Sequence, residues 1–185
     1  MEWVPVHVSA LTDAPGDASR YILVLEETER YRRLPITLGQ PEAQAIAMAV
    51  QSRELPRPAT HDLFVDTLQK AGIELQRVRI THLEDGAFCA QLSFRKKGEE
   101  PFSCDARTSD AIALAIRVFC PVEVAKELMD EHGILSNRMT ENTVWLKGSL
   151  DDYSRPELEE LLEQALQRED YQAASRIRDA LEGME

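Results

Sequence analysis

The sequence predicts an α+β fold: a largely antiparallel or mixed β-sheet packed with α-helices, followed by a C-terminal α-helical hairpin. Three observations predict it. Stretches with period-two alternation, such as WVPVHV and AFCAQLSF, are divided by clusters of Gly, Pro and Asp. Two runs, EAQAIAMAV and DAIALAIRVF, are apolar on nearly every side and need a sheet to bury them. The final segment, SRPELEELLEQALQREDYQAASRIRDALEGM, changes to helical spacing with capping signals at two places.

Taken in order, WVPVHV is a strand with Val4, Val6 and Val8 on one face, and TDAPGDASR is a turn cluster. YILVLEE and YRRLPITL are further strands, Pro35 marking an edge or bend. GQPEAQAIAMAV opens a helix with Pro41 in its first turn. Thr60 is placed to N-cap a second helix, HDLFVDTLQKAG, in which Leu63, Phe64, Thr67, Leu68 and Ala71 share a face and Gly72 ends it. IELQRVRITHLE is a strand whose alternation changes phase near Gln76 and Arg77, which predicts a bulge. Asp85-Gly86 is a two-residue hairpin turn; beyond it Phe88, Ala90, Leu92 and Phe94 point one way and Cys89, Gln91 and Ser93 the other. KKGEE turns the chain into PFSCDA, a helix runs from Ser109 to about Phe119, and PVEVAKELMDEHGI supplies a shorter helix. The expected organisation is an α+β domain over 1–134, a linker over 135–153 with Trp145 docking back, and a helical hairpin over 154–185. Ser154 and Glu157 have capping-box spacing, Leu158, Leu161, Leu162, Ala165 and Leu166 form a stripe, and Asp170 caps the second helix, whose inner face is Ala173, Ala174, Ile177 and Leu181. Two such helices bury little apolar area by themselves, so the hairpin is expected to pack on the main domain, its twin or another protein.

Composition narrows the function. A net charge of −12 argues against a protein that coats nucleic acid through a basic face, but leaves open an enzyme whose acids hold a metal. No apolar run approaches the roughly 20 residues that span a bilayer, so no membrane association is expected. The opening residues lack the basic and apolar regions of a signal peptide. Cys89, Cys104 and Cys120 are odd in number, widely spaced and set in apolar segments, as expected of buried thiols in a reduced cytoplasmic protein.

The stretch DARTSDAIALAIR crowds polar groups onto a helix mouth. One reading is structural: Thr108 or Ser109 caps the helix, Asp110 complements its dipole, and Arg107 pairs with Asp105 or a carbonyl. The other is functional. A helix N-terminus with Arg107, Thr108 and Ser109 suits a phosphate, while Asp105 and Asp110 suit Mg²⁺ or Mn²⁺, which would activate water. RPATHDLF repeats the arrangement with Arg57, Thr60, His61 and Asp62, where His61 is a candidate general acid or base. Glu42, in the first turn after Pro41, is a third candidate and a further metal ligand. There is no HxH, DxD or HNH-like spacing, and His7, His82 and His132 are assigned no role.

The succession LPITLGQPEAQAIAMAV, RPATHDLF, DGAFCAQL and DARTSDAIALAIR followed by PVEV resembles the bifunctional nuclease family over roughly residues 3–132. That resemblance implies a compact α+β fold, homodimers and hydrolysis of both RNA and DNA. The family usually has proline between the arginine and serine of its DARxSDA motif, where this chain has Thr108. REDYQAASRIRDAL resembles the UVR motif of excision-repair nuclease subunits and partners of Clp-type unfoldases, which implies a protein partner for residues 154–185.

The expected function is a cytoplasmic nuclease with His61, Asp62, Asp105 and Asp110 as catalytic residues and Arg57, Arg107, Thr108 and Ser109 binding substrate. Asp105, Asp110 and Glu42 are the expected metal ligands. The alternatives are a non-enzymatic adaptor or ligand-sensing dimer that recruits a repair complex or unfoldase through its hairpin, and a small-molecule site at the same helix mouths.

Overall fold

In the computed structural model, which describes residues 2–28, 32–51, 56–135, 144–145, 147 and 149–184, nine strands form one sheet. Strands β1 (Trp3–Ala14), β2 (Asp17–Glu27) and β3 (Arg32–Gly39) make an antiparallel meander, and helices α1 (Gln40–Val50) and α2 (Thr60–Lys70) follow. A second meander, β4 (Ile73–Glu84), β5 (Ala87–Lys96) and β6 (Phe102–Arg107), leads into α3 (Thr108–Val118). The chain continues through β7 (Val122–Ala125), α4 (Lys126–His132), β8 (Ile134–Leu135) and β9 (Val144–Trp145), then α5 (Arg155–Gln167) and α6 (Tyr171–Glu182). The spatial order is β6-β5-β4-β7-β1-β2-β3-β8, with β9 on β1. All recorded pairings are antiparallel except that of β4 with β7. The α+β expectation is met, with a mixed sheet.

Short β7 joins the two meanders, and α3 lies across the seam. Ala111 through Ile116 and Val118 are all buried, and their side chains feed two core clusters. One cluster sets Ile112, Ala113 and Ile116 against Val8, Leu23, Leu25 and Ile46. The other sets Ala111, Leu114, Ala115 and Val118 against Leu75, Val78, Leu92 and Phe94. Burial all round fixes the axis and rotation of α3, and hence the position of its mouth.

The hairpin turn is formed as expected, with positive φ at Asp85 (49°) and Gly86 (79°), as a two-residue turn of that hand requires. The predicted bulge falls between Leu75 and Arg77, and a second shift, between Ile80 and His82, has no counterpart in the sequence reading. The first turn cluster shrinks to Pro15-Gly16, with β1 and β2 running almost into each other.

Several local expectations are corrected. Thr60 does not cap α2; Ala59 is the N-cap residue, and the Asp62 carboxylate accepts its N–H at 2.9 Å. α2 buries Val65 and half-buries His61, Asp62, Leu68 and Gln69, leaving Leu63 and Phe64 57% and 44% exposed, so the inner face is rotated from the stripe expected. Neither Thr108 nor Ser109 caps α3: the buried Thr108 hydroxyl donates to the Phe88 carbonyl at 2.6 Å. VEVA is a strand rather than the start of a helix, because it pairs with both β1 and β4. Only Cys120 of the three cysteines is buried; Cys104 is exposed and Cys89 half-buried. Within the expected linker, β9 pairs with Ala10 and Leu11, while residues 136–143, 146 and 148 lie outside the described residues.

Helices α5 and α6 pack through Leu158, Ala165, Ala173, Ala174 and Ile177. Asp170 caps α6 by accepting the Ala173 N–H at 3.0 Å, and Glu157 accepts the Ser154 N–H at 2.9 Å. The pair docks on the main domain. Arg176 donates to the carbonyls of Val118 and, at 2.7 Å, Leu75, and Gln172 donates to the same Leu75 carbonyl at 2.7 Å. Phe119, the left-handed residue that ends α3 (φ 51°), packs against the hairpin core. No helix among the described residues is long and apolar enough to cross a membrane.

Candidate functional site

Three helices present their first turns to one place. α1 begins after Gly39 and carries Glu42; α2 begins after Ala59 and carries His61 and Asp62; α3 begins after Arg107 and carries Asp110. Arg107 is the last residue of β6, where extended backbone gives way to helix. Its guanidinium grips Asp110 with two bonds, Nε to Oδ2 at 2.8 Å and Nη2 to Oδ1 at 3.2 Å, and reaches Glu42 Oε1 at 3.1 Å through Nη1. His61 Nε2 lies 3.2 Å from Asp110 Oδ1. Residues far apart in sequence, Glu42, His61, Arg107 and Asp110, thus form one hydrogen-bonded chain.

Asp62 is tied in from behind. Its Oδ1 accepts from Arg117 Nε at 2.6 Å, and Arg117 also donates through Nη1 to the carbonyls of Ala113 at 2.8 Å and Ala45 at 3.3 Å. One side chain in the last turn of α3 therefore holds all three helices together. The sequence reading missed Arg117. Its signal was a single cation in the run IALAIRVF, which had to find an anion or carbonyl to be buried there.

Electrostatics follow the geometry. Partial burial opposes ionisation of Asp110, but the bonds from Arg107 and His61 outweigh it and hold the carboxyl below its ordinary range. Burial likewise opposes ionisation of Asp62, and Arg117 with the Ala59 N–H outweighs it. Arg107 is held further toward its charged form, chiefly by the Asp110 bond. Glu42, Asp62 and Asp110 face Arg107 and Arg117, so the cluster is close to neutral rather than strongly basic.

A cleft of about 570 Å³ opens at the mouth of α3, lined by Pro35 to Gly39, Glu42, Gly86 to Cys89 and Asp105 to Ser109. That volume lies in the usual range for small-molecule and single-nucleotide pockets. Arg107 stands at its wall with a side chain 68% exposed. Asp105 also lines it, from the middle of β6 opposite Gln91, but joins none of the bonds above. Arg57 is exposed on the approach to α2. Thr108 and Ser109 are buried, and the Thr108 hydroxyl is committed to Phe88. Glu42, Asp105 and Asp110 do not close into a metal-sized donor group: Arg107 bonds both Glu42 and Asp110. Among the described residues the side chains that do converge in that way are His82, Glu84 and Cys89.

The fold and this arrangement define an α+β domain whose three helix mouths link acids, a histidine and an arginine; Glu42 and Arg107 of that chain line the cleft, whereas His61, Asp62 and Asp110 lie behind them and do not. Residues 23–137 match the family described as the bifunctional nuclease domain, and the chain belongs to that family. It is 41% identical over 114 residues to an uncharacterized protein of Mycobacterium tuberculosis (strain ATCC 25618 / H37Rv), covering 62% of this chain and 67% of that one. It is similar to "Bifunctional nuclease 2" of Oryza sativa subsp. japonica, 31% identical over 105 residues, covering 56% of this chain and 32% of the relative. With "Bifunctional nuclease 2" of Arabidopsis thaliana it shares 29% identity over 165 residues, covering 80% of this chain and 50% of the relative. This chain thus spans half or less of those plant relatives.

Proposed function

We propose that this protein hydrolyses phosphodiester bonds of RNA or DNA, with His61 as its acid–base residue and Arg107 as its phosphate-binding cation. Family membership supports the reaction class, and plant relatives carry the name bifunctional nuclease. The observation that carries the residue roles is the chain His61–Asp110–Arg107–Glu42, whose Arg107 and Glu42 line the cleft. With His61 Nε2–H donated to Asp110, Nδ1 is the nitrogen that takes a proton from the attacking water or hydroxyl. Arg107 turns unused N–H groups toward solvent and meets the phosphate oxygens there, with Arg57 as a second cation on the approach. Asp62 acts through Arg117 by fixing α2, and with it His61. Mg²⁺ or Mn²⁺ at Asp110, Glu42 and Asp105 is a separate element of the proposal. It requires the cation to draw Arg107 off both carboxylates and Asp105 inward.

The test is cleavage of labelled single- and double-stranded RNA and DNA by the full chain, with Mg²⁺, with Mn²⁺ and with chelator. His61→Ala and Asp110→Asn are each expected to lower the rate by about 100-fold or more. Equal cleavage by wild type and both variants would assign the activity to a contaminant.

A second reading, recruitment of a protein partner through the UVR-like hairpin, is favoured by one observation. Leu166, Tyr171 and Met184 on the hairpin are 50%, 68% and 52% exposed although its other face is docked. Tyr171→Asp on the full chain should abolish capture of a repair or unfoldase partner, and unchanged capture would count against it. Ala174 is a poorer choice, since it is buried in the hairpin's own core. Three free cysteines suit a cytoplasmic setting, and the homodimer implied by the resemblance is checked by sedimentation of the purified chain.

A further inference from the structure

We propose that His82, Glu84 and Cys89 form a zinc site on the β4–β5 hairpin, distinct from the carboxylate cluster at the helix mouths. The three ligand atoms lie within 4.8 Å of one another. Tetrahedral zinc with nitrogen, oxygen and sulfur ligands needs neighbours about 3.3–3.7 Å apart. His82 Nε2 and Glu84 Oε2 already stand 4.0 Å apart. His82 and Glu84 are exposed and can turn the remaining distance without disturbing the core.

The backbone builds this group. In an unbroken strand His82 would share the face of Ile80, which is fully buried. The register shift between Ile80 and His82 reverses that parity, so His82 pairs directly with Cys89 and Glu84 follows it to the same outer face. The Asp85-Gly86 turn then fixes the register of the two strands. Thr81, the residue at the shift, orients the imidazole. Its hydroxyl donates to the Cys89 carbonyl at 3.3 Å and stands 2.8 Å from His82 Nδ1. A hydroxyl has one hydrogen; when it gives that hydrogen to the carbonyl it accepts Nδ1–H, and this tautomer leaves Nε2 with a bare lone pair for a metal. This is the second-sphere arrangement that metal-binding histidines use.

The donor set selects the ion. A thiolate and an imidazole favour zinc over Mg²⁺ or Mn²⁺, and three protein ligands leave a fourth position for water. On binding, the Cys89 thiol releases its proton to solvent and the thiolate becomes the ligand. Cys89 also lines the cleft that Arg107 and Glu42 border, which sets the ion beside the candidate active site.

The experiment titrates the full-length, metal-stripped protein with Zn²⁺ and with Co²⁺ as a spectroscopic substitute. The expected result is one equivalent bound per chain, with a thiolate-to-cobalt charge-transfer band. Cys89→Ser should remove the band, His82→Ala should weaken Zn²⁺ binding by about 100-fold, and Thr81→Val by about 10-fold. Cys104→Ser should leave both readouts unchanged. The absence of a charge-transfer band in wild type, or a band that follows Cys104 rather than Cys89, would overturn the site. So would equal Zn²⁺ affinity in wild type and the His82→Ala, Cys89→Ser double variant. These readouts do not depend on nuclease activity.

Discussion

Arg117 Nε stands 2.6 Å from Asp62 Oδ1, which ties the last turn of α3 to the first turn of α2 across 55 positions of sequence. The same guanidinium bonds the Ala45 carbonyl of α1, so α1, α2 and α3 share one clamp. Arg117→Met keeps much of the apolar stem but removes every donor. It should lower stability by about 2 kcal/mol, the range for hydrogen bonds to a charged group. A urea midpoint that falls while the slope stays constant is the check.

The clamp also has a pH signature. The folded pKa of Asp62 lies below its ordinary value, so the folded state binds fewer protons there than the unfolded chain. Its contribution is present above the ordinary carboxylate pKa of about 4 and is lost as pH falls through the lower folded value. The gap in stability between wild type and Arg117→Met should therefore narrow on acidification below about pH 4. Unfolding curves taken across that window test it; a constant gap would mean that the two carbonyl bonds carry the effect and Asp62 does not.

Thr108 occupies the first position of α3 with its hydroxyl on the Phe88 carbonyl at 2.6 Å. Thr108→Val should cost about 1 kcal/mol for the lost bond. Thr108→Pro loses the same bond, but proline is favoured at the first helical position and stiffens the unfolded chain. Arg107, at φ −65° and ψ 141°, already has the extended backbone that a following proline requires. Proline should thus be the milder substitution, which differential melting of the two variants would show.

How far this was visible in the sequence depends on how local each determinant is. The Asp85-Gly86 turn, Asp170 as a cap and Gly72 at the end of α2 were legible because each is set by a few neighbouring residues. Thr108 was misread because a hydroxyl both donates and accepts: a helix cap and a bond to a neighbouring strand look alike in sequence, and a carbonyl from β5 took it. The face of α2 was misread because Asp62 and His61 turn inward toward Arg117 and Asp110, overriding the apolar stripe of Leu63 and Phe64. The three helix mouths could be nominated singly, but their meeting depends on α3 spanning the seam between two meanders. His82 had no assigned role because the extra residue that turns it toward Cys89 leaves no compositional mark.

The near-neutral cluster makes a prediction about salt. With one well-exposed cation at the cleft wall, binding of single-stranded nucleic acid should weaken only shallowly as salt rises. Arg107→Ala should reduce the slope of log affinity against log salt by about 0.7, the value for one phosphate contact on a single strand. An unchanged slope would remove Arg107 from the phosphate contacts and leave it as a brace between Asp110 and Glu42.

Cys120 offers a reporter of hairpin docking. Burial pushes its thiol up to about 12, although the neighbouring Arg176 works in the other direction. The thiolate is the reactive form, so at mildly alkaline pH exposed Cys104 should react quickly with a thiol reagent and Cys120 only after local opening. Arg176 holds the hairpin against the end of α3 through the Val118 and Leu75 carbonyls. Losing those charge-assisted bonds costs about 1.5–3 kcal/mol, which corresponds to an opening equilibrium roughly 10- to 100-fold more favourable. In a Cys89→Ser, Cys104→Ser background, Arg176→Ala should therefore accelerate Cys120 labelling by about that factor. The loss of the arginine's charge acts oppositely on the thiol, so an acceleration reports exposure and not a change in acidity. An unchanged rate would show that β4, β7 and α3 bury Cys120 without the hairpin, and that Arg176 contributes little to keeping it docked.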